Sequence, residues 1–238
     1  CGISQVISNS VTSSFKNAFG IPPIYSCLFL VLLAAVIVLR KNASVRVLDL
    51  LVPIMAGIYI ILTLFLIIVN FRQLPGVFAR VFEEALGLRQ AIAGGFGAVL
   101  MNGVKRGLFS NEAGSGSAPC AAATAETSHP AKVGLMQAMG VFIDTFIVLN
   151  MTAFVIFVTG VLDGKTSGIS LTQNAFKVGL GGWGLSFVAI CMLFFAFSTI
   201  IGWYFFGEQN IKYLFGNKGL TPYRLIVVAF VVVGSVLK

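Results

Sequence analysis

The stretch WGLSFVAICMLFFAFSTIIGWYFFG, residues 183–207, contains no charged side chain. An α-helix needs about 20 apolar residues to cross the ~30 Å hydrocarbon layer of a bilayer, so this stretch predicts a transmembrane helix. Residues 24–39 and 50–71 also lack charge, and residues 133–160 contain a single ionisable group, Asp144. The chain therefore has several segments that favour the membrane over water.

The overall composition predicts the same environment. Of 238 residues, 58% are hydrophobic and only 10% are charged, and the mean hydropathy is +0.97. Soluble domains are roughly a quarter charged, so this chain cannot coat a water-facing globule. We expect an all-α, polytopic membrane protein in the lipid bilayer, with spans at residues 21–39, 50–71, 91–109, 133–160, 183–207 and 221–237. Residues 74–86 predict a short amphipathic helix at the membrane surface, and residues 171–178 a second one.

The net charge of +8 comes from basic residues scattered between the spans, which do not form one face, so no nucleic-acid partner is expected. Lys and Arg are slightly enriched in the loops after the first, third and fifth spans, which places these loops in the cytoplasm. The chain has no initiator Met and no signal-peptide pattern. We expect one transmembrane domain truncated at both ends, with missing upstream and downstream spans as its partners; residues 1–20 are expected to be the exit from an upstream element.

Asp144 lies near the middle of its predicted span. An ionisable group at that depth costs about 3 kcal/mol on insertion scales and is a functional candidate by default. Helical spacing puts Gln137, Asp144 and Thr152 on one face, which should point into a helix bundle. The face could contact a cation, or it could serve packing alone.

Glycine is dense in and after the third span, at Gly94, Gly95 and Gly97 and in the run GVKRGLFSNEAGSGS, residues 103–117. This density predicts a broken helix, and non-helical backbone at membrane depth is tolerated where it lines a cavity. The alternative is a seam of small residues that packs helices closely.

Ser198 and Thr199 lie in mid-span, where their hydroxyls could bind a small hard cation, and Thr199 shares a helix face with Trp203. The alternative is that both hydroxyls bond back to their own helix. The single His129 has no nucleophile or second base at a useful spacing, so neither enzyme activity nor an organic cofactor is expected.

The run GVKRGLFSNEAGSGSAPCAAATAETSHPAKVGLMQAMGVFIDT, residues 103–145, resembles the signature of the sodium:alanine (alanine or glycine:cation) symporter family. The resemblance continues in AFGIPP (18–23), FAFSTIIGWYFFGE (195–208), YLFG (213–216) and PYR (222–224). It implies a five-plus-five inverted-repeat fold like that of the bacterial leucine transporter. This chain would supply the fourth to ninth spans of that fold.

The resemblance also implies a function and a site. The function is sodium-coupled symport of a small neutral amino acid such as alanine or glycine across a bacterial plasma (inner) membrane, with Na⁺ as the coupling ion. The implied substrate contacts are Phe96, Leu100, Asn102, Thr199 and Trp203. The implied sodium ligands are the hydroxyls of Ser198 and Thr199 and the carbonyls of Phe195 and Ala196. One departure is Ala98, where many members have Gln. A cation channel and a non-catalytic membrane subunit are the alternatives.

Overall fold

The computed structural model describes residues 2–39, 41–85 and 96–236, and all regular secondary structure in these ranges is helical. The α-helices are α1 (Gly2–Phe19), α2 (Pro23–Leu39), α3 (Lys41–Val69), α4 (Leu74–Ala85), α5 (Phe96–Phe109), α6 (Glu112–Ser115), α7 (Ala118–Ala122), α8 (Pro130–Phe142), α9 (Asn150–Val158), α10 (Ile169–Leu180), α11 (Gly182–Phe215) and α12 (Leu220–Val236). A π-helix, Ile143–Leu149, joins α8 to α9, and 3₁₀ turns occupy Phe71–Gln73 and Gly216–Gly219.

Three stretches of the described chain are long and apolar enough to cross a membrane. They are Leu50–Val69, Pro130–Val158 and Gly182–Ser235, which contain 18-residue windows with mean hydropathies of 2.7, 2.3 and 2.3. The third stretch contains both α11 and α12. A further apolar helix, Pro23–Ala35, is shorter than these three stretches. The prediction of an all-α, multi-pass membrane protein is confirmed.

Two spanning helices extend beyond their predicted ends. α3 begins at Lys41, well before residue 50, so Pro53 lies inside the helix. α11 continues to Phe215, past the predicted end at residue 207. Hydropathy marks only the part of a helix that lies in hydrocarbon, whereas backbone hydrogen bonding continues into the polar turns outside it.

The chain forms two compact units. The first contains Cys1–Leu62 and Thr159–Lys238, and the second contains Thr63–Val158. α3 contributes to both units.

In the first unit, α1 packs against α2, α10, α11 and α12. The polar residues Ser4, Ser8 and Thr12 are buried on its inner face. The Ser8 and Thr12 hydroxyls donate to the carbonyls four residues earlier, at 2.8 Å and 3.0 Å, so these buried groups are satisfied within the helix. Where the sequence suggested only an exit from an upstream element, the structure has a full helix at the centre of the unit.

The second unit joins α4 to α9 through the rings of Phe78 and Phe154, whose centroids are 5.1 Å apart. The amphipathic helix predicted at residues 74–86 is present as α4, Leu74–Ala85, and its position at the membrane surface stays a prediction. After α5 the chain reverses sharply, and Gly114 lies directly on the backbone of Leu108. A side chain at Gly114 would collide with the Leu108 carbonyl, so this turn requires glycine.

Candidate functional site

The hydroxyls of Ser198 and Thr199 lie half-buried in the middle of α11. Both donate to the carbonyl oxygen of Phe195, at 2.9 Å and 2.7 Å. The back-bonding that the sequence left as an alternative is therefore present. Donation uses the hydroxyl hydrogens and leaves the oxygen lone pairs available to a cation, so the geometry is also compatible with a sodium site.

The two carbonyls that were predicted as sodium ligands are less available to an ion than the hydroxyls are. The Phe195 carbonyl already accepts both hydroxyls, and Ala196 lies within the continuous helix α11 with its side chain 1% exposed. A carbonyl oxygen has two lone pairs. A cation that used the Phe195 carbonyl would have to displace a hydrogen bond or bend the helix at this point.

Thr199 and Trp203 follow one edge of α11. The adjacent stripe of Ala196, Ile200 and Tyr204 is fully buried, whereas Thr199 and Trp203 are half-buried. The Trp203 ring meets Phe206 edge to face, with centroids 6.0 Å apart. The pair therefore places one hydroxyl and one aromatic ring beside a packed core.

Tyr59, which the sequence did not single out, fixes the ring of Phe195. It is 8% exposed, meets Phe195 edge to face at 6.3 Å and stacks on Phe176 of α10 at 5.6 Å. Three helices are thereby held together next to the Ser198–Thr199 hydroxyls. A lone Tyr in an apolar span carries no signal of this role in the sequence.

The three predicted substrate contacts on the third span all lie in α5. Leu100 and Asn102 are exposed within the unit. They are two residues apart in a continuous helix, which separates them by about 200° around the axis. Phe96 and Leu100 are four apart and share a face, so α5 does not present Asn102 on the same face as the other two residues.

The helix break predicted in the third span falls largely outside the described residues, since Gly94 and Gly95 lie in the undescribed range 86–95. From Phe96 to Phe109 the backbone is continuous α-helix, with Gly97 inside it. The chain leaves the helix at Ser110 and Asn111 before the short helix α6 begins.

Asp144 lies in the first turn of the π-helix Ile143–Leu149. Single π-turns inside α-helices are frequent at functional sites. The face predicted from helical spacing is half-buried at Gln137, Asp144 and Thr152, in contrast to the exposed Phe142 and Phe146. The π-helix also half-buries Thr145, which regular spacing would not place on this face.

The start of α6 faces this π-helix. The Asn111 amide donates to the Thr145 hydroxyl at 3.2 Å, and its carbonyl oxygen caps α6 by accepting from the Gly114 N–H at 2.9 Å. Burial raises the pKa of the Glu112 carboxyl, and the nearby negative charge of Asp144 raises it further. An amide and a hydroxyl are thus bonded in the second unit, and two carboxyls there interact electrostatically. The sequence contained Asn111 and Glu112 within its glycine-rich run but gave no sign that Asn111 bonds to Thr145 or that Glu112 interacts with Asp144.

The predicted site residues divide between the two units. Phe195, Ala196, Ser198, Thr199 and Trp203 belong to the first, and Phe96, Leu100, Asn102 and Asp144 belong to the second. Within the first unit they follow one another along α11. Within the second, Asp144 interacts electrostatically with Glu112, which lies just beyond the end of α5.

Known proteins match this chain along nearly its whole length. The model of the sodium:alanine symporter family matches residues 1–238. The amino-acid carrier protein AlsT of Bacillus subtilis is 45% identical over 98% of this chain and 50% of its own length. The probable sodium/glutamine symporter GlnT of the same organism is 43% identical over 99% of this chain and 50% of its own length. The sodium/alanine symporter AgcS of Methanococcus maripaludis is 37% identical over 96% and 52%.

These matches agree with the resemblance in residues 103–145 and extend it over every span. The chain covers about half the length of the curated relatives it matches. The chain belongs to the sodium:alanine symporter family.

Proposed function

We propose that the protein carrying this chain is a sodium-coupled symporter for a small neutral amino acid, such as alanine or glycine, in a bacterial plasma (inner) membrane. The observation that carries this proposal is the family match over residues 1–238. The names of the relatives support it, because they pair sodium with alanine or glutamine. The wider fold is the five-plus-five inverted repeat, in which α2, α3, α5, α8–α9, α11 and α12 are the fourth to ninth spans.

The sodium ion binds at the hydroxyls of Ser198 and Thr199 in this proposal. Their lone pairs support this role, because both hydrogens are already donated to Phe195. The carbonyls of Phe195 and Ala196 complete this half of the site only after the helix opens there. Sodium binding would then stabilise an opened backbone in place of the continuous helix α11, which couples the ion to a change in conformation.

The substrate pocket uses Thr199 and Trp203 of α11 and Phe96, Leu100 and Asn102 of the third span. Trp203 supplies an apolar wall that limits the size of the side chain, and polar groups orient the amino acid. Because Asn102 lies on the far side of α5 from Leu100, the proposal requires the helix to unwind between them when substrate binds.

Asp144 is a second candidate for cation coupling. Its neighbour Glu112 has a raised pKa, which favours the protonated form of that carboxyl. A proton held at Glu112 would relieve the repulsion between the two groups, and a cation could do the same. Two relatives are named as sodium/proton-dependent alanine carriers, which supports a proton as an alternative coupling ion.

The test is uptake of labelled alanine into proteoliposomes that contain the protein at the full length its gene encodes. We expect saturable uptake driven by an inward Na⁺ gradient and lost when choline replaces Na⁺. Unlabelled glycine and glutamine added as competitors identify the preferred substrate. Flux that is independent of the gradient and proceeds at channel rates would instead support a cation channel, and no flux of any solute would support a non-transporting subunit.

A further inference from the structure

The length of α11 and its exposed aromatic residues indicate that the corner between α11 and α12 lies at the level of the lipid headgroups. Trp183 near the start of α11 and Tyr213 near its end are 59% and 89% exposed. Thirty helical residues rise about 45 Å, which matches the 40–45 Å thickness of a bilayer with its headgroups. Exposed aromatic residues at both ends are typical of membrane interfaces. Gly216, with φ 63°, then reverses the chain into α12.

A groove of about 460 Å³ opens at this corner. Most of its surface is apolar, and one basic residue lies at its edge; the lining includes Ile211, Phe215, Lys218, Pro222, Tyr223 and Ile226. The Tyr223 hydroxyl donates to the backbone carbonyl of Tyr204 at 3.2 Å, and the two rings stack with centroids 5.7 Å apart. The groove therefore has a preformed wall.

The charges around the groove are positive. Lys212 and Lys218 are exposed, and among the residues that the structure describes no carboxylate pairs with either of them. Arg224 is already engaged, since it donates to the Tyr204 hydroxyl at 3.1 Å and lies 3.7 Å from the buried carboxylate of Glu208. Among the described residues around the groove, the carboxylate of Glu208 is thus paired with Arg224, and the two lysines are available to a ligand.

We propose that this groove binds an anionic phospholipid. An acyl chain lies against Phe215 and Ile226, and the phosphate lies between the ammonium groups of Lys212 and Lys218. The position at headgroup depth explains the apolar groove with a basic edge, and the uncompensated positive charge selects an anionic headgroup over a zwitterionic one. The positive-inside rule places the loop between α11 and α12 in the cytoplasm. The groove then lies in the leaflet that is rich in anionic lipid.

The test is native mass spectrometry of the full-length protein, delipidated in detergent and titrated with phosphatidylglycerol or phosphatidylcholine. We expect saturable retention of phosphatidylglycerol at lower concentration than phosphatidylcholine. The double variant Lys212→Gln/Lys218→Gln should weaken phosphatidylglycerol binding by about fivefold per lysine. Ile226→Trp, which fills the groove without changing charge, should abolish it. The control variant Lys165→Gln/Lys177→Gln removes the same charge from exposed positions elsewhere in the unit and should bind normally.

Three results would overturn the proposal. One is equal binding of the two lipids. Another is equal phosphatidylglycerol binding by the lysine variant and its control. The third is an Ile226→Cys side chain that resists a membrane-permeant maleimide in the delipidated protein, because another protein segment would then cover the groove. None of these measurements depends on sodium or amino-acid transport.

Discussion

Two apolar stretches of this chain contain equally apolar windows with different surroundings. An 18-residue window of Gly182–Ser235, which contains α11 and α12, and one of Pro130–Val158, which contains α8, the π-helix and α9, both average 2.3 in hydropathy. Yet 44% of the first window is buried within the described chain and only 11% of the second. Hydropathy thus predicts that a segment enters the bilayer, but it does not predict whether the segment meets protein there.

The difference comes from how closely neighbouring helices pack. Val11, Leu30, Ala196 and Val231, one each from α1, α2, α11 and α12, form a single buried cluster. The backbones approach closely where glycine allows it, at Gly234 against Gln5 and at Gly184 against Phe176. Gly134 and Gly140 on α8 have no such neighbour within 4 Å. Close packing, and not apolarity, distinguishes the two stretches, and five predictions test this comparison.

The largest effect is expected for Trp203→Ala. Trp203 is half-buried on α11 and forms the proposed wall of the substrate pocket. Uptake should fall about thirtyfold, or larger amino acids should be accepted, because truncation of a packed Trp removes about 2 kcal/mol of binding energy in typical sites. Phe142→Ala, on the exposed face of α8, is the matched control. A normal substrate profile in Trp203→Ala would remove this residue from the pocket.

The packing difference itself is tested by Gly184→Ala and Gly140→Ala. A methyl group at Gly184 would collide with the backbone of Phe176, which cannot move as a side chain could. We expect a loss of about 2 kcal/mol and a melting temperature lower by roughly 5 °C in detergent. Gly140→Ala should be neutral or slightly stabilising, because alanine favours helix. Equal melting temperatures for the two variants would contradict the close approach of α10 and α11.

Thr199→Val and Thr152→Val compare identical chemistry on the two stretches. Each hydroxyl donates to the carbonyl four residues earlier, at 2.7 Å for Thr199 and 2.9 Å for Thr152. If Thr199 binds sodium, its loss should raise the Na⁺ concentration for half-maximal uptake about tenfold at unchanged expression. Thr152→Val should leave Na⁺ activation unchanged. An identical response of both variants would indicate that Thr199 serves its helix alone.

Gln173→Leu tests a buried polar junction. Gln173 is completely buried on α10, accepts from the Asn17 amide at 3.0 Å and donates to the carbonyl of Ser14 at 3.0 Å. Because leucine cannot replace these bonds, unfolding should become easier by about 1 kcal/mol. Gln137→Leu, at a half-buried position on α8, is the control for the other stretch and should change little. Thermal unfolding of the purified variants measures both effects.

The smallest effect concerns the segment between α9 and α10. The N–H and hydroxyl of Thr166 and the N–H of Lys165 donate to Asp163 and lower the pKa of its carboxyl from 3.8 to about 2. A folded pKa below the unfolded one adds stability above pH 3.8, and this contribution disappears as the pH falls from 3.8 to about 2. Asp163→Ala should therefore be slightly less stable to unfolding than the parent at pH 6 and equally stable near pH 2. A difference that persists at pH 2 would show that the turn does not depend on charge.

Several features could be predicted because they depend on local chemistry. The amphipathic pattern of residues 74–86 predicted α4, and the spacing of Gln137, Asp144 and Thr152 predicted the half-buried face of its span. The run at residues 103–145 was specific enough to indicate the family. By contrast, the sequence did not predict α1, because its buried face consists of serine and threonine. Hydropathy scales count these residues as polar, although their hydroxyls bond to backbone carbonyls within the helix.

By itself, the sequence determined the environment, the helical class and the family, because composition, periodicity and a long specific motif are local properties of the chain. The tertiary structure alone decided which spans are packed, that Tyr59 packs on Phe195, that Asn111 bonds to Thr145, and that Glu112 interacts electrostatically with Asp144. These contacts join residues that are distant in the chain. Their partners are selected by shape and by backbone approach, neither of which leaves a periodic pattern in the sequence.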